Sequence, residues 1–450
     1  MMNRLVLLAI GGLSLADLRT HGLGRTLAIA TLRSLGLRFG GMALTLLMGI
    51  ILARMLGPED FGVYGSVMAV AAILSVPAQF GLPQLITREI SAYRVRGDLV
   101  RIRTVLTWFS LLVLAGSVAM MIIAALFWLP SSHVSDDVGA RVWGIALIPV
   151  TAAIALGMGM LRGFHRIVGA QLYDAVARPG LMLFAFLIVY ALDLAADAEL
   201  ALAMQAGTGA LVIGVCAFHV YRVIPSALKK LPSGRFDRRL IASAPSMAGT
   251  EILRVLDGQY AVVLLSLLAP IDNVALFRVA LSLAGFVALP STLVNLVIMS
   301  YIAELHRTGD RALLQKIARA SAILCFTSTL IMTLGLYVFG QSILVMLFGP
   351  EYAGAWLPLV LISLAYTING FFGGQATILN MAGEERAVLS AFILSPAIGI
   401  AVTLLLFPVI GFYAAAIAAV LSYSTQSIFL HMHARQRLGL CTAAMPIKLL

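Results

Sequence analysis

The feature that most constrains this chain is a series of apolar runs, each about as long as a helix that crosses a bilayer, roughly 20 residues. Apolar residues make up 61% of the 450 residues and charged residues 11%, whereas an average soluble chain is roughly 45–50% apolar. The sequence therefore predicts an all-α polytopic membrane protein. The twelve predicted spans lie near residues 37–56, 61–83, 105–129, 142–162, 170–192, 198–220, 240–268, 273–302, 315–338, 355–381, 387–407 and 410–432.

The distribution of charge gives an independent test of this count. The N-terminus, the connections after even-numbered spans and the C-terminus hold all but five of the 31 Lys and Arg residues. Basic residues mark cytoplasmic segments of membrane proteins, so both termini are predicted to be cytoplasmic. The net charge of +11 is then explained by topology, and no nucleic-acid partner is expected. The five exceptions are Arg54, Arg141, Arg178, Arg254 and Arg278.

The two halves of the chain repeat. Leu56-Gly57-Pro58-Glu59-Asp60 aligns with Leu268-Ala269-Pro270-Ile271-Asp272 at an offset of 212 residues, and Pro77 aligns with Pro290 at an offset of 213. An even number of crossings separates these points, so the repeat predicts two parallel six-helix bundles around a central cavity. The predicted domains are a cytoplasmic or interfacial leader (1–30), an N-terminal bundle (31–221), a basic cytoplasmic linker (222–239), a C-terminal bundle (240–433) and a cytoplasmic tail (434–450).

Motifs for catalysis or cofactor binding are not found in the sequence. It has neither a G-x-x-x-x-G-K-[ST] phosphate loop nor an H-E-x-x-H zinc motif. Cys216, Cys325 and Cys441 lie far apart, which supports neither a disulfide framework nor a zinc site. We therefore expect no enzyme activity, no catalytic residue, no metal site and no cofactor, and the sequence leaves open whether a coupling cation binds.

Charged residues within the predicted spans are the main candidates for a site. A charge at membrane depth costs several kcal/mol, so it faces a bundle interior or a wet cavity. Asp174 and Arg178 are four residues apart and can pair on one helical face. The candidates for cavity residues are Arg33, Arg38, Asp174, Arg178, Glu251, Arg254, Asp257 and Arg278. The alternative for the acids and arginines is structural ion pairing between spans, and for Arg33 and Arg38 it is anchoring of the first span.

Polar residues without charge form a second group of candidates. Asn369 and Gln375 lie beside the glycines of the tenth span, where small residues allow close approach. A buried amide is explained at least as often by an interhelical hydrogen bond. The weaker members of this group are Gln79, Gln171, Gln259, Asn295, Tyr173 and Tyr260.

Several segments resemble one known family. Residues 52–64, LARMLGPEDFGVY, are similar to the LAR-x-LG-P-E-D-[FY]-G-x-[YF] hairpin of the polysaccharide flippases, the Wzx-like branch of the superfamily that also contains the MATE exporters. LFGPEY at 347–352, the glycine-bearing tenth span and P-x-x-G at 408–411 resemble later segments of the same family. The resemblance covers about residues 32–435.

The resemblance implies a flippase of the bacterial inner membrane for O-antigen or exopolysaccharide biosynthesis. Its substrate would be a polyprenyl-diphosphate-linked oligosaccharide, moved from the cytoplasmic to the periplasmic leaflet by alternating access. Arginines can bind a diphosphate through bidentate hydrogen bonds, which suits the charged candidates. The implied partners are this lipid-linked glycan, the bilayer, and a polysaccharide polymerase or other assembly protein.

Other functions stay open at this point. A MATE-like exporter of small cations would have a cavity dominated by acids, and the lipid II flippase branch usually has fourteen spans. An O-antigen polymerase or ligase handles the same carrier but needs a large periplasmic loop, which the sequence does not contain. A membrane scaffold without transport is the remaining option, and charges within the spans speak against it.

Overall fold

The structure, a computed structural model, describes residues 22–130, 137–193, 195–225, 228, 231–232, 234, 241, 244–308 and 311–445. Side chains are described from Gly36 onward except at residues 246, 296–297, 300–301, 303–308 and 311. The chain divides into two compact units, one of Leu32–Ala275 and one that holds Leu276–Leu450. The described residues contain helices and turns and no β-strand.

The first unit contains most of α1, all of α2 to α8 and the first residues of α9. The boundary between the two units falls within α9, so the rest of that helix belongs to the second unit. Between α5 and α6, residues Tyr173–Ala177 form a π-helical turn. The helices are α1 (Gly22–Gln79), α2 (Leu82–Arg96), α3 (Leu99–Phe127), α4 (Val138–Gly163), α5 (Ile167–Leu172), α6 (Arg178–Ala191), α7 (Ala198–Val223), α8 (Ala244–Leu268) and α9 (Ile271–Val287).

The second unit continues from α9 with six further helices. A 3-10 turn, Pro350–Ala355, precedes α12, and a π-helical turn, Ala434–Leu438, follows α15. The helices are α10 (Leu289–Thr308), α11 (Arg311–Phe348), α12 (Trp356–Phe372), α13 (Gln375–Met381), α14 (Glu385–Ile410) and α15 (Tyr413–His433).

The helices account for each of the twelve predicted spans, which confirms the predicted all-α polytopic membrane fold. In the described residues, nine helical segments are long and apolar enough to cross a membrane, and α9 with the start of α10 forms a tenth that is bent by 42°. The first of the nine contains two predicted spans, since Gly57 (φ 73°) breaks α1 next to Pro58. The remaining span is α8, which carries Glu251, Arg254 and Asp257 and is therefore less apolar.

Capping explains several charges in the short connections. The carboxylates of Asp137 and Asp197 accept hydrogen bonds from Ala140 N (3.1 Å) and Leu200 N (2.7 Å) at the starts of α4 and α7. Such side chains satisfy backbone donors that a helix leaves unpaired. Arg141 donates to the carbonyl of Leu129 (2.9 Å) just beyond α3. These residues therefore fix helix ends, and their positions outside the basic connections have a structural cause.

Near its C-terminus the chain folds back into the second unit. Gln315 binds the backbone of Cys441 twice, donating to its carbonyl (2.7 Å) and accepting from its amide (2.8 Å). His431 Nδ1 contacts Thr442 Oγ1 at 2.8 Å, and Leu440 is part of a buried apolar cluster with Ile298. Residues up to Ala444, which is 5% exposed, are therefore packed against the helices rather than extended from them.

Candidate functional site

A polar cavity of about 290 Å³ lies within the first unit, between α1, α4, α6 and α8. Its walls combine small and apolar residues with five charged or amide side chains, so it suits a ligand that carries charge. The polar members are Gln79, Arg178, Glu251, Arg254 and Gln259. The others are Met68, Ala71, Ala72, Ser75, Val76, Leu147, Thr151, Val255 and Gly258.

On α8, Arg254 pairs with Glu251, one helical turn earlier. The guanidinium donates from Nε to Glu251 Oε2 (3.1 Å) and from Nη2 to Glu251 Oε1. Gln84 of α2 donates a further hydrogen bond to Glu251 Oε2 at 3.2 Å. The Arg254 side chain is 65% exposed and that of Glu251 23%, so the arginine is open to a ligand while the acid is held from two sides.

Arg178 is held by an amide of the neighbouring helix. When the amide of Gln205 is oriented with Oε1 toward Arg178, this oxygen accepts from Nε (2.9 Å) and Nη2 (3.2 Å). Gln205 is 3% exposed, and the Tyr64 hydroxyl lies 3.4 Å from its amide. A neutral partner positions the guanidinium without cancelling its charge.

Asp174 does not form the predicted ion pair with Arg178. Asp174 lies in the π-helical turn, is exposed, and interacts electrostatically with Arg162 and Arg254. Glu251 also interacts with Arg162. Arg178 is satisfied instead by the buried oxygen of Gln205, which accepts from two of its donors. Among these groups the hydrogen-bonded ion pair is Arg254–Glu251 on α8, and Asp174 and Arg162 act on it through longer-range electrostatics.

The other charged candidates are distributed more widely. Asp257 is half-buried on α8, and Arg278 is half-buried on the part of α9 that belongs to the second unit; both make interactions with other residues. Arg38 is exposed on α1. The side chain of Arg33 lies outside the described side chains, so its predicted role stays a prediction.

In the second unit, Asn369 and Gln375 contact the same serine. Asn369 Nδ2 donates to Ser427 Oγ (3.1 Å), and Gln375 Nε2 donates to the Ser427 carbonyl (3.3 Å). Gln375 is 2% exposed. Both amides join α12 and α13 to α15, which is the interhelical role that the sequence left as the alternative.

Three residues of the site were missed by the reasoning from sequence. Arg162 lies at the end of α4, where the charge distribution indicates only a topology determinant, and Gln84 and Gln205 are not among the candidates from the sequence. A membrane-embedded glutamine is a weak signal because it usually hydrogen-bonds a neighbouring helix. Only the packing of α2 and α7 shows that these two amides hold charged residues of the cavity.

The arrangement favours an anion. Two guanidinium groups and one carboxylate line the cavity, so its charge is positive overall. Arg254 can move from a carboxylate to a phosphate with similar geometry, since both accept paired hydrogen bonds. Glu251 would keep its bond from Gln84 during that exchange, which lowers the cost of leaving the acid without its arginine.

Comparisons with known proteins agree with this fold. A family model described as polysaccharide biosynthesis protein matches residues 32–306. A multidrug resistance MATE family transporter of the MOP superfamily superposes with a TM-score of 0.73 at 16% identity, over 88% of this chain and 94% of that one. The lipid II flippase MurJ superposes with a TM-score of 0.65 at 12% identity, over 89% of this chain and 86% of that one.

A third solved structure that superposes on this chain is described by the polarity of its binding pocket. A MOP superfamily transporter from Pyrococcus furiosus, described as having a binding pocket of reverse polarity that suggests a different function, gives a TM-score of 0.62 at 14% identity over 91% and 95% of the chains. No curated protein sequence matches at a significant level. The fold is therefore that of the MOP superfamily, and the structural relatives are transporters and flippases.

Proposed function

Because this chain belongs to the polysaccharide biosynthesis protein family, we propose that it is a flippase for a polyprenyl-diphosphate-linked oligosaccharide. It moves the glycan from the cytoplasmic to the periplasmic leaflet of a bacterial inner membrane, in the pathway of a surface polysaccharide such as O-antigen or exopolysaccharide. The observation that supports this proposal most is a cavity whose lining includes two arginines, Arg178 and Arg254, and a single carboxylate, Glu251.

The diphosphate is the part of such a substrate that most needs contacts with the protein in order to cross the bilayer. Its charges lose water on entering the bilayer, and burying an uncompensated charge costs several kcal/mol. Arg178, fixed by Gln205, supplies a guanidinium that is ready before the substrate arrives. Arg254 leaves Glu251 to bind the phosphate and returns when the substrate departs.

When Arg254 pairs with Glu251 again after the substrate has left, the site returns to its substrate-free state. The Arg254–Glu251 pair is partly exposed, and pairs of this kind are worth only about 0–1 kcal/mol, so a doubly charged ligand displaces the acid readily. Asp174, within electrostatic range of Arg254 and Arg162, provides a second resting partner. The same acids are candidates for binding a coupling cation, and a polymerase that receives the flipped glycan is the expected partner.

The proposal is tested by complementing a deletion strain with R178Q, R254Q and the double variant. We expect lipid-linked oligosaccharide to accumulate on the cytoplasmic side and surface glycan to fall at least tenfold in the double variant, because the diphosphate loses both guanidinium partners. Membrane protein levels are measured in parallel by immunoblot.

R101Q is the matched control for R254Q. Arg101 also pairs with an acid three residues earlier, Asp98 (3.2 Å), and its side chain is 62% exposed, but it does not line the cavity. It should support normal export. Normal glycan export by the double variant at wild-type protein levels would contradict the assignment of these arginines.

A MATE-like multidrug or cation exporter is the alternative on the same fold, since a multidrug resistance MATE family transporter superposes on this chain. A cavity lined by two arginines and one glutamate repels cations, so the deletion strain should keep its drug susceptibility unchanged. If deletion sensitised the cells to cationic drugs and left glycan export intact, the exporter would be the better description.

A further inference from the structure

A second cavity of the first unit is an apolar groove on the opposite face of α4 from the polar cavity. Its volume is about 660 Å³, and it runs between α3 and α7 with α4 as its floor. Pro149, Val150 and Ala153 of α4 line the groove, whereas Leu147 and Thr151 line the polar cavity. The two cavities are therefore separated by the thickness of a helix.

The groove follows one stripe of α3 from Arg103 to Ser117. From Arg103 to Ser117 the helix rises about 21 Å, at about 1.5 Å for each step between neighbouring residues, which is more than half of a hydrocarbon core about 30 Å thick. The inner parts of both walls are buried, with Ser117 of α3 and Cys216 of α7 each 2% exposed, while Leu114 of α3 is open (60% exposed). In a membrane, a groove of this length and apolar lining can hold an extended acyl chain.

A basic pocket lies at one end of this groove. It has a volume of about 300 Å³ and is lined by two arginines and no acid, the full lining being Arg94, Leu99, Ile102, Phe164, Arg166, Val223, Pro225 and Leu228. Ile102 and Val223 of the pocket are the chain neighbours of Arg103 and Ile224, which line the groove. The basic pocket and the groove thus follow one another along α3 and α7.

The two arginines of the basic pocket are available to a ligand. Arg94 makes a long hydrogen bond to the Gly163 carbonyl (3.4 Å) and lies 5.9 Å over the Phe164 ring. Within the part of the chain that the structure describes, the Arg166 side chain has no ion pair or hydrogen bond. Arg103 lines the groove where it adjoins the pocket, and neither the groove nor the basic pocket has an acid among its lining residues.

We propose that the groove and the basic pocket together bind one anionic glycerophospholipid of the bilayer. Its phosphate lies between Arg94 and Arg166, and one acyl chain lies along the groove beside α3. Basic pockets between spanning helices are suited to anionic headgroups, whereas the cation of a zwitterionic headgroup would be repelled. The site is distinct from the transport cavity because α4 separates them, so the occupant is a resident lipid rather than the transported carrier.

The test uses the full-length protein in detergent, titrated with phosphatidylglycerol or with phosphatidylcholine of the same chains. Bound lipid is counted by native mass spectrometry, and the melting temperature is followed by tryptophan fluorescence. We expect one tightly bound phosphatidylglycerol and an increase in melting temperature that phosphatidylcholine does not produce. A basic residue at a membrane surface contributes about 1 kcal/mol, so R94Q/R166Q should bind phosphatidylglycerol about 30-fold more weakly.

Two comparisons make the result specific. R96Q removes an exposed arginine of the same helix that does not line the basic pocket, and it should bind as the wild type does. A153F, which places a ring on the floor of the groove, should weaken binding while leaving both arginines in place. If A153F fails to fold, the single variants R94Q and R166Q test the site instead. Each is expected to bind phosphatidylglycerol about fivefold more weakly than the wild type.

Equal binding of the two lipids, or unchanged phosphatidylglycerol binding by R94Q/R166Q, would overturn the proposal. A polyprenyl diphosphate that displaced phosphatidylglycerol from the wild type, and lost this ability in R94Q/R166Q, would show that the carrier is the occupant and would also overturn it. Glycan export by the R178Q/R254Q variant is a separate measurement, so failure of the lipid site and failure of the flippase proposal are distinguishable.

Discussion

Arg178 and Arg254 line the same cavity but are held in different ways. Arg178 has a neutral, buried partner in Gln205, whereas Arg254 has a charged partner in Glu251 on its own helix. A neutral acceptor fixes geometry and leaves the positive charge in place, whereas a carboxylate competes with any anionic ligand. The first arginine is therefore suited to initial capture and the second to exchange.

The contact with Gln205 leads to a prediction about stability. Q205L removes the acceptor of two Arg178 donors, and a buried donor without a partner costs about 1–3 kcal/mol. We expect a lower melting temperature in detergent and reduced glycan export. Y64F removes the hydroxyl that contacts the Gln205 amide at 3.4 Å but keeps Gln205 itself, and it serves as the control, with a smaller effect on both. Equal effects of the two variants would show that Gln205 does not position Arg178.

For Glu251 we predict that a substitution makes the binding of a diphosphate tighter rather than weaker. E251Q removes the charge that competes for Arg254 while an amide can still contact Gln84. Since a partly exposed pair is worth up to about 1 kcal/mol, a diphosphate should bind about fivefold more tightly. Binding of polyprenyl diphosphate to purified protein is the measurement, and weaker binding by E251Q would exclude competition as the role of the acid. Export should still fall, because the site then resets slowly.

At the scale of the helices, the cavity depends on the junction between α2 and α8. Gly81, which precedes α2, has φ 68°, and a Cβ there would lie 2.6 Å from Ala248 N and 2.7 Å from the Ala244 carbonyl oxygen. This close approach sets the start of α8 against α2, and one to two turns later Glu251 meets Gln84. The charges of α8 are thus positioned by a glycine at some distance from them.

The two glycines that flank α2 allow a matched comparison. Gly97 also has a left-handed conformation (φ 70°), but a Cβ there would meet nothing within 4 Å. G97A should cost only the backbone strain of about 1–2 kcal/mol. G81A adds a clash with the backbone of α8, so it should lower the melting temperature further and reduce export. If the two variants melted at the same temperature, the junction would not be tightly packed at Gly81.

For the whole molecule, the topology is a prediction that fusions can test. The distribution of Lys and Arg predicts that both termini and the segment around Pro232 are cytoplasmic, and that the connection around Asp193 is periplasmic. A fluorescent reporter that folds only in the cytoplasm should be active at Pro232 and at the C-terminus. A phosphatase reporter, active only outside, should be active at Asp193. The reverse pattern at any of these sites would invert the predicted orientation.

Much of the molecule follows from local chemistry. Apolar runs of spanning length must become helices because lipid offers no partner for backbone donors and acceptors, so the predicted spans all correspond to described helices. Gly57 and Pro58 end one span, and Asp137 and Asp197 begin others, because each acts on backbone groups within a few residues.

The sequence by itself thus determined that the chain crosses the membrane many times, which stretches of it form the apolar helices, and which family it resembles. The tertiary structure decided which partner each charge has: Arg178 contacts Gln205 rather than Asp174, and Arg162 joins the acids of the site. The physical reason is distance along the chain. Caps and turns act between neighbours, whereas Gln84 and Glu251 are 167 residues apart and meet only because α2 and α8 pack together.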